Sequence, residues 1–98
     1  MTRKPLPPPY VRQISITHMG YEDADFHGTM RFAKAMISKL AKKRSEGKRG
    51  WNKTPATGWG CNVRDLERAL RGHLAKGDVV DVANFCMMIW NRRHSRGL

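Results

Sequence analysis

The sequence predicts an all-α protein, a small three-helix domain made of a helical hairpin plus one long helix, with an extended N-terminal arm. Three observations carry that reading. Apolar residues recur at three- and four-residue spacing in three separate stretches. Gly47, Asn62 and Gly77 punctuate those stretches as stop or start signals. Period-two alternation is confined to one short segment near Ile14. At 98 residues the chain has the length of a single domain. A core that small sustains a folding free energy between a few and about 10 kcal/mol, which association with a second copy would raise.

Residues 1–20 read as the arm and 21–98 as one helical domain. The run MTRKPLPPP favours polyproline II over a packed element. Val11, Ile14 and Ile16 alternate imperfectly, which suits a short strand or extended chain, and Tyr10 and Val11 are placed to pin the arm to the helical core. The N-terminus has basic residues but no apolar centre, so it does not read as a secretory signal. No apolar run approaches the ~20 residues of a membrane span, so no membrane partner is expected. Two cysteines, Cys61 and Cys86, form neither a disulfide framework nor a zinc spacing, and a reducing cytoplasm fits them.

The first helix begins near Asp23 or Asp25, whose carboxylates suit the positive helix end, and runs to about Glu46. Phe26, Met30, Ala33, Ile37 and Leu40 make its apolar stripe; Arg31, Lys34, Lys39, Lys42, Lys43 and Arg44 take the opposite side. Residues 47–61 form a long loop rich in glycine and tryptophan. Asn62 caps the second helix, which ends near Lys76 and carries Val63, Leu66, Leu70 and Leu74 as a stripe. Glu67 and Arg71 are spaced to pair on it, and His73 reads as a boundary residue. After Gly77, Asp78 caps a third helix that runs from Val79 to about Arg93, with Asp81 in its first turn. That helix is apolar on nearly all sides, Cys86 included, which places it at the centre of the core or at a homodimer interface. Asn84 is its polar exception; a buried amide needs partners, so it reads as fixing register ahead of touching a ligand. The tail NRRHSRGL reads as frayed.

Nineteen Lys and Arg against eight Asp and Glu give a formal charge of +11. Such an excess attracts nucleic acid, nucleotides or an acidic protein surface. The densest concentration is Lys42, Lys43, Arg44, Lys48, Arg49 and Lys53 around Trp51, with Trp59 near. Cations bind phosphates, indoles stack on bases, and glycines let backbone amides approach an anion. These eight residues are the expected phosphate-binding set. A helix-turn-helix reading of the second and third helices fails, because the third offers mainly Val, Met, Phe and Ile where base-reading polar groups would stand. No P-loop, nucleophile elbow or HExxH motif occurs, and no catalytic residue is expected. Asp78 and Asp81 share a helix face and are the weak metal candidates, although capping already explains both.

The stretch KGDVVDVANFCMMIWNRR, Lys76 to Arg93, resembles a group of small phage and prophage proteins with a K-G-D-x-V-D-V-A-N-F-x-M-M run. Those proteins in turn look like shortened relatives of the MazG-like all-helical nucleotide pyrophosphohydrolases. FAKAMISKLAKKRSEGKRGW, Phe32 to Trp51, is similar in pattern to the family's A-M-x-x-K-L helix and Gly-Trp turn, and Cys61 to His73 to its capped middle helix. The resemblance implies a helical bundle completed by dimerisation, nucleotides as ancestral ligands, and a bacterial host cytoplasm. The family carries paired glutamates on its middle helix, for Mg²⁺. This chain reads LERALRGHLAKGD there, with Arg71, Gly72 and His73 in place of the acidic cluster. The expected function is therefore a phage-type accessory, anti-defence included, that binds nucleic acid or nucleotide phosphates without turnover. The alternatives are an inhibitor of an acidic or DNA-binding host protein surface, and a pyrophosphohydrolase with a reduced acidic site, the only reading that needs Mg²⁺.

Overall fold

The computed structural model describes residues 16–58 and 60–94. The architecture is all-helical. A 3-10 turn at Ile16–His18 precedes α1 (Tyr21–Ser45); a second at Pro55–Thr57 interrupts the loop; α2 (Val63–Lys76) and α3 (Val79–His94) complete it. No strand occurs among the described residues, and no helix is long and apolar enough to cross a membrane. The expected proline arm, with Tyr10, Val11 and Ile14, lies outside the described residues.

The expected arm boundary at residue 20 differs in one respect. Ile16 to His18 is not extended: Met19 N–H donates to the Ile16 carbonyl at 3.3 Å, closing a 3-10 turn. α1 starts at Tyr21, ahead of Asp23, because the Gly20 carbonyl already accepts Ala24 N–H at 2.8 Å. Glu22 and Asp23 then stand in the first turn, opposite the positive end of the helix dipole.

Contacts divide the chain between Arg31 and Phe32 into two units. In the first, Ile16 packs over Gly28, where a Cβ would meet Ile16 Cδ1 at 3.2 Å. The second unit holds the core. Leu66, Met88 and Ile89 are buried, and Leu40, Trp51, Cys61, Val63, Phe85 and Met87 pack around them.

The α2–α3 hairpin organises this unit. At its start the Asp65 carboxylate accepts the Asn62 backbone N–H at 3.1 Å. At its turn Gly77 adopts φ 78°; its N–H donates to the Leu74 carbonyl at 3.1 Å, and Asp78 N–H donates to the His73 carbonyl at 3.2 Å. This pair of bonds is the left-handed glycine closure that satisfies the last carbonyls of α2 and reverses the chain in one residue.

Several expectations about faces are corrected. α1 buries no residue, and Phe26, Met30 and Ile37 of its predicted stripe are 62%, 43% and 64% exposed. Of that stripe Ala33 and Leu40 are half-buried in the second unit as expected, together with Met36, Lys39 and Lys43, which the stripe did not include. α3 is not buried all round: Asp81, Asn84, Met88 and Ile89 form its buried face, whereas Val79, Cys86 and Trp90 are exposed. α2 and the Met36 to Leu40 stretch of α1 meet α3, and the apolar residues they do not cover stay outside. Glu67 does not pair with Arg71 in the described contacts; it accepts Arg93 Nη2 at 2.8 Å. Asn91 to His94 continue α3, with Arg92 half-buried and Arg93 exposed; the rest of the expected frayed tail, 95–98, lies outside the described residues.

Candidate functional site

The loop between α1 and α2 is folded back on itself. Lys48 N–H donates to the Lys43 carbonyl at 2.9 Å, continuing from the end of α1. Lys53 N–H bonds the Gly50 carbonyl and Cys61 N–H bonds the Lys53 carbonyl, both at 3.0 Å. The last bond brings the two ends of a nine-residue segment together, and Gly60 makes this possible. A Cβ there would collide with the backbone carbonyls of Lys53 and Thr54. Arg92 then fastens the loop to α3. Its Nη1 donates to the carbonyls of both Trp51 and Cys61 at 2.9 Å.

This folding shapes a half-open cavity of about 400 Å³, lined by residues of the second unit. Lys43, Arg44, Lys48 and Arg49 line it together with Gly50, Trp51, Asn52 and Cys61. Arg44, Lys48 and Arg49 are exposed and stand at the mouth. The deep wall is set by burial: Leu66, Met88, Asp81 and Asn84, with half-buried Leu40, Phe85 and His73. The cavity is thus polarised, cationic outside and apolar with oxygen acceptors inside.

Of the expected phosphate-binding set, Lys43, Arg44, Lys48, Arg49 and Trp51 share this cavity. Lys42 and Lys53 do not line it. Both are exposed, and their carbonyls serve the Ser45 hydroxyl and the loop closure at Cys61. Trp59 lies outside the described residues.

Three inner residues stand outside the expected phosphate-binding set: Asp81, a weak metal candidate; Asn84, read mainly as fixing register; and His73, read as a boundary residue. Asp81 is 6% exposed and its Oδ2 meets Lys39 Nζ and His73 Nδ1, each at 3.4 Å. Lys39 therefore faces α3, not the solvent side assigned from its spacing. His73 also meets Asp78 Oδ2 at 3.3 Å and sets its ring against Phe85, centroids 5.1 Å apart. Asp78 takes the cap position of α3, its carbonyl accepting Val82 N–H at 2.9 Å, while its carboxylate turns to His73. Asn84 is 3% exposed; its Nδ2 donates to the Met36 carbonyl at 3.3 Å and its Oδ1 has no hydrogen-bond partner among the described residues. An unmet buried acceptor costs about 1–3 kcal/mol.

His73, Asp78 and Asp81 present ligand atoms within 4.8 Å of one another, the spacing of a small cation site. Mg²⁺ prefers an octahedron of oxygens, and at a triphosphate several carboxylates converge on it. This set supplies two carboxylates and one imidazole, and Lys39 already places a positive charge on Asp81. The donors do not fit Mg²⁺; a nitrogen ligand beside two carboxylates belongs to later first-row metals.

No protein-family model, no curated protein and no solved structure matches the chain.

Proposed function

We propose that the second unit binds nucleotide phosphates in this cavity without a catalytic step. One observation carries the reading: Lys43, Arg44, Lys48 and Arg49 line a single cavity with Trp51. Three exposed cations at the mouth and half-buried Lys43 behind them offer a strong field for a phosphate chain, and the formal +11 of the whole chain attracts it from a distance. Trp51 offers a flat apolar face for stacking. The volume falls within the roughly 300–1,000 Å³ of small-molecule pockets, a size that suits a mononucleotide. The likeness of Lys76 to Arg93 to small phage proteins extends the proposal to an accessory role, anti-defence included, in a bacterial cytoplasm. It also extends to a homodimer built on the apolar residues that α3 leaves outside.

Calorimetric titration with ATP and with inorganic triphosphate, each at two salt concentrations, tests it. Both should bind, more weakly at higher salt because exposed charges are screened. Changing Lys43, Arg44, Lys48 and Arg49 to Ala should abolish most of the affinity with the helical circular dichroism spectrum unaltered. Unchanged binding by that variant would make the four cations a solvated face.

A second reading, nucleoside triphosphate pyrophosphohydrolase, is favoured by the His73, Asp78 and Asp81 group alone. It ranks lower because that donor set does not fit Mg²⁺. Steady Mg²⁺- or Mn²⁺-dependent release of pyrophosphate from a dNTP panel, lost in Asp81→Asn, would reverse the ranking.

A further inference from the structure

Asn84 lines the cavity and is 3% exposed. Its carboxamide has a set orientation, because Nδ2 donates to the Met36 carbonyl at 3.3 Å. That leaves Oδ1 as a buried acceptor with no donor among the described residues. Such groups are uncommon in folded proteins, and each calls for a physical account. Packing supplies none, since an apolar side chain of the same shape would carry no such penalty. The neighbours say what kind of donor suits it. Asp81, one turn earlier on the same face of α3, is a second acceptor and already shared by Lys39 and His73. Leu66, Phe85 and Met88 make the surroundings apolar. A ligand matched to both ends has a phosphate for the cations at the mouth. For the inner wall it has a flat, largely apolar group bearing N–H.

We infer that the cavity selects nucleotides whose base carries an exocyclic amino group, with Asn84 Oδ1 as the acceptor that reads it. The inference rests on the nucleotide-phosphate reading above. Cytosine and adenine present an amino N–H at the ring position where uracil and hypoxanthine present a carbonyl oxygen. The carbonyl would set lone pair against lone pair at Asn84 Oδ1; the amino group donates to it. Seating the base moves a wall side chain aside, and Met88, with its unbranched thioether, is the adaptable one. The Met36 bond keeps Oδ1 turned the same way throughout.

Calorimetry with the matched pairs CMP and UMP, and AMP and IMP, tests the inference, with ribose 5-phosphate as a probe that has no base. CMP and AMP should bind about tenfold more tightly than UMP and IMP, the worth of one net hydrogen bond. In Asn84→Ala the two members of each pair should bind alike. Equal binding within both pairs by the parent chain overturns the inference, as does a preference that survives Asn84→Ala. Should that variant fail to fold, the parent's two ratios decide alone. If ribose 5-phosphate and all four nucleotides bind alike, only the amino selection falls. If none of them binds, the phosphate reading falls and takes the selection with it.

Discussion

Arg92 shapes the site without lining its cavity. It ties two carbonyls of the loop, at Trp51 and Cys61, which lie 41 and 31 positions away in the chain. Bonds from a charged donor to half-buried carbonyls are among the stronger ones, so Arg92→Ala should lower stability by about 2–3 kcal/mol. The midpoint of urea unfolding checks this, and Arg92→Lys should restore only part of it, because an ammonium does not present two donors in a fixed plane. A midpoint unmoved in both variants would mean that the loop holds its shape without the guanidinium. Nothing local in NRRHSRGL announces this contact, and a basic tail after a helix ordinarily frays. Asp78, Asp81 and His73 were more nearly legible. The cap signal at Asp78 and the stop at Gly77 were plain in the sequence. What spacing could not report is that a one-residue reversal lays His73 against both carboxylates.

At the scale of elements, the hairpin was written most clearly. Asn62 and Gly77 bound α2 where expected, and α3 begins at Val79 as expected. Gly77→Ala should cost about 1–2 kcal/mol, because a Cβ is strained at φ 78°. Leu66→Ala and Ile89→Ala should each cost about 2–5 kcal/mol through lost burial and a residual cavity. Leu74→Ala and Arg71→Ala, at exposed positions, should stay within about 0.5 kcal/mol. Thermal or urea unfolding of this set separates the buried face of the hairpin from its outer one; equal losses at all four positions would contradict the assigned faces. α1 was legible as a helix but not in its orientation. Of its apolar stripe Ala33 and Leu40 are half-buried as expected, but Phe26, Met30 and Ile37 are exposed, and Met36 and Lys43 join the half-buried line. Periodicity finds the most apolar face. It cannot know that the neighbouring surface carries Asp81 and Asn84, which draw Lys39 and the Met36 carbonyl.

For the whole molecule, two properties point outward: the formal charge of +11 and the apolar surface at Ile37, Val79 and Trp90. A small core that leaves such residues uncovered gains by association. Light scattering should give the mass of a dimer for the parent and of a monomer for a Val79→Glu, Trp90→Glu double variant. A parent that is monomeric at millimolar concentration would confine these residues to ordinary surface. The charge was legible at once and its focus was not. The basic cluster could be drawn around Trp51 from the sequence, but Lys42 and Lys53 could be separated from Lys43, Arg44, Lys48 and Arg49 only once the loop closed at Cys61. The most direct measurement of the central claim is therefore a map of where a nucleotide lands. In backbone and side-chain amide NMR spectra titrated with ATP, shifts should concentrate at Gly50, Trp51, Asn52, Cys61 and the Asn84 carboxamide, and saturate. Shifts spread evenly over Arg31, Lys34, Lys42 and Lys76 without saturation would contradict the account, because the charge would then act as a diffuse field and the cavity would bind nothing.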